Sequence, residues 1–218
     1  MSDTINQFYE CDNPECRLRF PGSEGNPRWN RCPLCRSHIH SVASVIKTNN
    51  SKNSVEKPNK YIFVSLLDNI RSALNVGSIF RTSDGMGIRK LYLCGITPSP
   101  ENPTIRKSAL GAENDVNWEK SNNGLVTATH LKSQGHILWA LENIPSSEPL
   151  YKINQVPADT PIVIIIGNEV SGVDPGIIDI CDKVISIPMV GKKHSYNVAV
   201  AFGIAVSYLL YQQWRQIG

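Results

Sequence analysis

Several signatures of common nucleotide-binding and membrane proteins are missing from this sequence. No G-x-G-x-x-G follows an apolar strand-like run, and no Walker A sequence occurs, which disfavours dinucleotide and nucleoside-triphosphate sites. The longest apolar segment, residues 197–214, falls short of the roughly 20 residues that a membrane span needs. The first residues, MSDTINQFYE, lack the basic and apolar regions of a signal peptide. We therefore expect a cytoplasmic protein with no membrane partner.

The composition indicates a globular chain with one substantial core. The 218 residues are 41% hydrophobic and 19% charged, and the formal net charge is +3. This mild excess of positive charge is compatible with binding to nucleic acid but does not require it. Six cysteines in a cytoplasmic protein favour a metal site or free thiols over disulfides.

Four of the cysteines form two close pairs near the N-terminus. The pairs are spaced C-x4-C and C-x2-C, and they consist of Cys11, Cys16, Cys32 and Cys35. Two thiolate pairs on tight turns suit tetrahedral Zn²⁺, so residues 1–46 are predicted to form a zinc ribbon. The alternative is four unrelated buried thiols. His38 and His40 follow closely as possible substitute ligands, although surface positions are the simpler interpretation.

The surface of the predicted ribbon admits two interpretations. Arginines and aromatic residues suit phosphate contact and base stacking, whereas nearby acidic residues balance the charge and suit a solvated face. The first set includes Arg17, Arg19, Arg28 and Trp29. Residues 47–60 are polar and end near a proline, which predicts a linker.

Residues 61–218 alternate between strand-like and helix-like patterns, which predicts an α/β domain with a mainly parallel sheet. A strand from Tyr61 precedes a helix that contains Ile79 and Phe80 and that should stop at Gly85 and Gly87. The return strand is residues 90–94. Asn75 is expected just before this helix. Arg81 lies in an apolar stretch, where it must reach either an acidic partner, Asp84 or Asp68, or a bound anion such as a phosphate.

Two polar loops follow two short apolar strands in the C-terminal third. The strand 162–166 leads into Gly167, Asn168 and Glu169, and the strand 184–187 leads into residues 191–197. Ligands of open α/β sheets bind beyond the carboxyl ends of the strands, so these loops mark the first candidate site. The helix 197–214 is apolar on nearly every face and should be buried, either in the core or in a subunit interface.

Three segments in this order resemble a known family. They are N-x-G-x-x-x-R-T at 75–82, G-N-E-x-x-G at 167–172 and I-P-M-x-G-x-x-x-S-x-N-V at 187–198. Together they resemble the three motifs of SpoU/TrmH-type RNA 2'-O-ribose methyltransferases of the SPOUT superfamily. The resemblance covers residues 61–218 and leaves the predicted zinc ribbon outside.

The resemblance implies a homodimer formed through a C-terminal deep trefoil knot, an exception to the rule that chains are unknotted. It implies S-adenosyl-L-methionine as methyl donor and RNA (tRNA or rRNA) as acceptor. The matching cofactor-binding positions are Leu141, Glu142, Gly167, Asn168, Ile187, Met189, Tyr196 and Asn197. The matching catalytic positions are Arg81, Asn75, Glu169, Ser195 and Asn197. The family usually has Leu at the position of Tyr196 and Ser at that of Ala199.

The chemistry of the reaction constrains these roles. Methyl transfer to a 2'-hydroxyl is an in-line displacement in which the hydroxyl also loses its proton. A guanidinium stays protonated, so we expect Arg81 to hold a phosphate and stabilise negative charge while a phosphate oxygen or water takes the proton. The alternative function is an RNA-binding module that keeps the fold but has no turnover.

Overall fold

The computed structural model describes residues 6–23, 30–45, 63–157 and 159–217. The chain divides into two compact units, Met1–Val55 and Glu56–Gly218. The predicted linker, together with Arg28 and Trp29, lies outside the described residues, so the predicted domain limits stay predictions.

The first unit contains a small antiparallel sheet. Its strands are β1 (Asn6–Cys11), β2 (Arg19–Ser23) and β3 (Ile39–Ser44), in the order β2-β1-β3. Arg17 and Arg36 each follow the second cysteine of a pair, and both have a positive φ, of 46° and 65°. The two cysteine pairs therefore lie on turns of similar shape, as the spacing predicts.

The second unit alternates strands and helices. Its elements are β4 (Phe63–Asp68), α1 (Ala73–Met86), β5 (Lys90–Cys94), α2 (Pro103–Ala109), α3 (Ala112–Asp115), β6 (Asn117–Ser121), α4 (Gly124–Ser133), β7 (Ile137–Leu141), β8 (Glu148–Pro149), a 3₁₀ turn (Leu150–Lys152), β9 (Ile162–Ile166), α5 (Pro175–Ile180), β10 (Lys183–Ser186) and α6 (Val198–Ile217). Strand β6 is not among the predicted strands, because its residues NWEKS lack an apolar run.

Seven of these strands form one sheet in the order β6-β5-β4-β9-β7-β10-β8, and every pairing is parallel. The predicted α/β class with a mainly parallel sheet is confirmed. Strand β9 is buried along its whole length because helices cover both faces of the sheet. Ile162, Ile164 and Ile166 pack with α1 and α6, while Val163 and Ile165 pack on the side of α4 and α5.

Helix α1 differs from its prediction at both ends. It begins at Ala73, where the Ser72 side chain caps it by accepting the Asn75 N–H, so Asn75 lies inside the first turn. Gly85 lies within the helix, and only Gly87, with φ 70°, ends it. Gly85 has a helical φ, whereas Gly87 adopts the left-handed conformation that stops a helix.

Helix α6 is longer than predicted and is not buried on every face. Phe202, Ala205, Val206 and Leu209 are buried in the core. The opposite side is 39–54% exposed and consists of Val200, Ile204, Tyr211 and Trp214. Burial in the core therefore accounts for one side of the helix, and the alternative of a subunit interface stays a prediction for the exposed stripe.

Candidate active site and metal centre

The carboxyl ends of three neighbouring strands meet at one cavity. Leu141 at the end of β7 pairs with Ile166 of β9 on one side and with Ile185 of β10 on the other. A cavity of about 450 Å³ opens beyond these ends. This volume falls in the range of about 300–1,000 Å³ that small-ligand sites occupy.

The cavity brings together most of the residues that the sequence singled out. All eight predicted cofactor-binding residues line it, and so do Glu169 and Ser195 of the predicted catalytic set. Lining residues that sequence analysis did not choose are Asn143, Ile166, Val170, Gly172, Ser186, His194, Val198 and Ala201. Asn143 directly follows Glu142 after the end of β7, and this position beyond a strand end could have identified it as a lining residue.

The loop after β9 is folded tightly on itself. The Asn168 side chain accepts the N–H groups of Val170 and Ser171 and donates to the carbonyl of Asn69. A Cβ on Gly167 would lie 2.2 Å from backbone atoms of Gly172 and Val173. Only glycine fits at position 167, because backbone cannot move aside without opening the loop.

Glu142 fastens this loop to the end of β7. Its carboxylate accepts the N–H of Val173 at 3.0 Å and that of Asn143 at 3.0 Å. The Asn143 amide in turn donates to the carbonyl of His194, at 3.2 Å, in the loop before α6. Glu142 and Asn143 therefore hold together the two loops that form the cavity walls.

Glu169 connects the loop after β9 to the start of α1. Its carboxylate accepts the backbone N–H groups of Arg71 and Ser72, at 2.9 and 3.1 Å, and the Asn75 amide at 3.0 Å. Desolvation acts to raise the pKa of Glu169, but the hydrogen bonds from Arg71, Asn75 and Ser72 outweigh it and lower the pKa from 4.5. The carboxylate is thus held ionised as an acceptor, which does not suit a proton-transferring base.

Asn75 and Asn197 complete a hydrogen-bonded chain between the three motifs. The Asn197 amide donates to Asn75 Oδ1 at 3.0 Å, while Asn197 Oδ1 accepts the N–H groups of Ala199 and Val200 at the start of α6. Glu169, Asn75 and Asn197, far apart in the sequence, therefore meet at the cavity. This arrangement positions each amide without leaving it free to rotate.

Arg81 lies apart from these groups within the single chain. It is exposed on α1 and is not among the residues that line the cavity. The described structure shows no ion pair between Arg81 and Asp84 or Asp68. The acidic partner considered for Arg81 is therefore not observed in this part of the chain.

Asp68 is a buried carboxylate that sequence analysis did not assign to the site. It is 2% exposed at the end of β4, where it accepts the N–H of Asp174 at 3.0 Å and the Asn69 amide at 2.8 Å. Burial, with the nearby charge of Asp174, raises the pKa of Asp68. Through its hydrogen bond with the Asp174 N–H, Asp68 holds the loop before α5 against the end of β4.

The four N-terminal cysteines form a cluster suited to one metal ion. All four Sγ atoms lie within 4.8 Å of one another, with Cys11 and Cys35 at 3.3 Å and Cys16 and Cys32 at 3.8 Å. Tetrahedral Zn–S bonds of about 2.3 Å place sulfurs about 3.8 Å apart, so the spacing fits. Hydrogen bonds from the Ser37 hydroxyl and N–H lower the pKa of Cys35 to about 6. His40 instead contacts Asp12, at 2.6 Å.

Comparison with known proteins agrees with this arrangement. Residues 62–207 match the SpoU rRNA Methylase family. The match places the chain in a class of methylases. Its parallel α/β sheet, with the cavity at the strand ends, is the fold described above. The chain is a member of the SpoU rRNA Methylase family, as the three motifs predict.

Relatives with assigned names are 30–33% identical to this chain over the aligned segments. The tRNA (guanosine(18)-2'-O)-methyltransferase of Aquifex aeolicus is 33% identical, over 74% of this chain and 72% of the relative. The mitochondrial rRNA methyltransferase 1 of Dictyostelium discoideum is 31% identical, over 69% of this chain but only 29% of the relative. The 23S rRNA (guanosine-2'-O-)-methyltransferase of Vibrio parahaemolyticus is 30% identical, over 65% of this chain and 56% of the relative. The chain therefore spans less than two thirds of several relatives.

Solved structures show the same fold. The Aquifex aeolicus TrmH/SpoU tRNA modifying enzyme is 29% identical, with a TM-score of 0.64, over 72% of this chain and 79% of that one. The SpoU methyltransferase AviRb of Streptomyces viridochromogenes, in complex with AdoMet, is 19% identical, with a TM-score of 0.63, over 84% and 71% of the two chains.

Among the described helices, none combines the length and apolar character needed to cross a membrane.

Proposed function

We propose that this protein methylates ribose 2'-hydroxyls of tRNA or rRNA with S-adenosyl-L-methionine as donor. The observation that carries the proposal is the hydrogen-bonded chain Glu169–Asn75–Asn197 at the mouth of a donor-sized cavity. Family membership and the names of the relatives support the same activity.

The lining of the cavity suits the donor. Leu141, Ile187 and Met189 offer apolar surface for an adenine ring, and Ser195 and Asn197 offer polar groups nearby. When bound, the donor supplies a methyl group on a positively charged sulfur. The 2'-oxygen would take this methyl group by in-line displacement, with the electron pair of the carbon–sulfur bond left on sulfur.

The residues of the chain position the acceptor and handle its charge. The amides of Asn75 and Asn197 are fixed by each other and by Glu169, so they can orient a ribose without reorganisation. Arg81 holds the neighbouring phosphate, and a phosphate oxygen or water takes the hydroxyl proton. Glu142 and Asn168 act through the backbone that they hold.

The position of Arg81 supports a homodimer with shared sites. The exposed apolar stripe of α6, Val200, Ile204, Tyr211 and Trp214, is suited to an interface with a second copy. In this dimer, Arg81 of one protomer reaches the cavity of its partner. The loops after β9 and β10 would form the deep trefoil knot that the family resemblance implies.

Two measurements test the activity. Calorimetry should show S-adenosyl-L-methionine binding, and labelled methyl groups should enter unmodified tRNA or rRNA transcripts at positions that then resist alkaline cleavage. RNA binding without donor binding or turnover would instead indicate the alternative function, an RNA-binding module.

Complementation tests the shared site. Arg81→Ala and Asn197→Ala should each abolish turnover, while their co-expressed mixture should recover about a quarter of wild-type activity, because random pairing of two protomers gives half heterodimers with one intact site each. No recovery would place Arg81 and Asn197 in the same protomer's site.

We also propose that the N-terminal unit, which carries the cysteine cluster, is a zinc ribbon that helps to bind RNA. Cys11, Cys16, Cys32 and Cys35 would hold Zn²⁺, which would stabilise a unit too small for a large core. A chain starting at residue 58 should keep its affinity for the donor but lose affinity for RNA. Undiminished RNA binding would remove the ribbon from the recognition surface.

A further inference from the structure

A second, more open groove lies beside the donor-sized cavity. Arg71, Ser72, Asn75 and Glu169 line it, and its volume is about 390 Å³. Glu169 lines both spaces, and Asn75 of the groove is hydrogen-bonded to Asn197 of the cavity at 3.0 Å. A ligand in the groove would therefore lie next to the group that occupies the cavity.

The guanidinium of Arg71 is the positive group of this groove. Arg71 is exposed, and in the described part of the chain its side chain makes no hydrogen bond or ion pair. Its backbone N–H is bound to Glu169 at 2.9 Å, so its main chain is fixed to the cavity wall. A guanidinium with no acidic partner is suited to binding a phosphate through two parallel hydrogen bonds.

The remaining charges of the groove are already satisfied. The Glu169 carboxylate accepts three N–H groups, which offset its repulsion of an anion. Glu169 accepts the Ser72 N–H and Ser72 accepts the Asn75 N–H, so two of the N–H groups at the start of α1 are already bound. Arg71 is the one cationic side chain among the residues that line the groove, so we expect the affinity for an anion to depend on it.

We infer that this groove receives the ribose-phosphate backbone of the acceptor RNA, with Arg71 bound to one of the two phosphates that flank the reacting ribose and Arg81 of the partner protomer left to bind the other. The inference rests on the proposed function and deepens it by naming where the acceptor strand lies. Arg71 is here a positioning residue, and Asn75 and Asn197 separate its phosphate from the donor cavity.

The test compares two exposed arginines in the full-length protein. Arg71→Ala removes the proposed phosphate contact, and Arg71→Lys keeps the charge. Arg89→Ala removes an equal charge between α1 and β5; within the part of the chain that the structure describes, Arg89 is hydrogen-bonded through its backbone alone. Binding to a single-stranded oligoribonucleotide is measured over a series of salt concentrations. Donor affinity is measured by calorimetry and oligomer mass by light scattering.

Arg71→Ala should weaken RNA binding about tenfold and reduce the slope of log affinity against log salt by about 0.7, the value for one phosphate contact in a single strand. Arg71→Lys should restore the slope with intermediate affinity. Arg89→Ala should leave both unchanged, and no variant should alter donor affinity or mass.

Three results would overturn the inference. These are wild-type RNA affinity and slope in Arg71→Ala, equal losses in Arg71→Ala and Arg89→Ala, and loss of donor binding or oligomer mass in Arg71→Ala. Failure of the proposed function is a different result, because the wild-type protein would then bind no donor.

Discussion

Replacing Glu169 by glutamine tests whether this carboxylate holds the three motifs together. One of its oxygens accepts the Ser72 N–H and the Asn75 amide, and the other accepts the Arg71 N–H. Glutamine has nearly the same shape but only one acceptor oxygen. It therefore keeps at most two donors, and its NH₂ group then faces the N–H of Arg71.

The magnitude follows from the bond that is lost. A hydrogen bond to a charged group contributes about 1.5–3 kcal/mol, and Glu169 is exposed, so the lower end applies. Removing a negative charge at the start of α1 adds about 0.3–1 kcal/mol. We expect the free energy of unfolding to fall by about 2 kcal/mol at pH 7.

The effect should depend on pH in a defined direction. The pKa of Glu169 is lowered in the folded protein, so its stabilising contribution is complete above 4.5 and is lost as pH falls through the lower folded value. Urea unfolding, followed by tryptophan fluorescence, should show wild type and Glu169→Gln converging below pH 4.5. Asp179→Asn removes an exposed carboxylate from α5 and should change stability by less than about 0.5 kcal/mol.

Turnover reports the positioning of Asn75. Without one anchor of the carboxylate, the Asn75 amide is held less firmly, and we expect kcat to fall about tenfold, which corresponds to about 1.4 kcal/mol. Wild-type stability at pH 7 together with wild-type kcat in Glu169→Gln would refute the connecting role of this residue.

Three further predictions concern packing and metal binding. Gly77→Ala should destabilise the protein by about 2 kcal/mol, because the new Cβ would lie 2.8 Å from the Ile105 carbonyl oxygen. Gly85→Ala in the same helix meets nothing within 4 Å and should stabilise the protein by about 0.5–1 kcal/mol. Equal urea midpoints for the two variants would contradict this prediction. Gly167→Ala should cost about 3 kcal/mol and abolish donor binding, and a retained calorimetric signal would disprove the close backbone approach. Cys35→Ser should lose the zinc that mass spectrometry finds in wild type; zinc-free wild-type protein would contradict the metal site.

Local patterns were sufficient for strands β4, β5, β9 and β10 and for the position of the cavity, but not for β6 or β8. The β-branched run 162–166 is typical of a strand buried on both faces, and glycine with polar residues directly after it marked the ligand-binding edge. The start of α5 is also a local signal, because Asp174 accepts the Gly176 N–H and Pro175 occupies the first turn. Such signals act within a few residues, so they are readable without the fold.

The ends of α1 and the burial of α6 could not be read in the same way. Gly85 and Gly87 are chemically identical, and only the path of the chain into β5 decides which takes the left-handed conformation. An apolar helix indicates burial but not against what, so the exposed stripe of α6 became visible only once the core had covered the other face.

The sequence by itself determined the alternation of strands and helices, the four-thiol cluster and the three motifs, because each depends on residue type and short spacing. Tertiary structure alone decided that Glu169 binds the start of α1, that Asn75 meets Asn197, and that Arg71 is beside the cavity while Arg81 is not. Hydrogen bonds between residues about a hundred positions apart exist only after the parallel sheet has brought its carboxyl ends together.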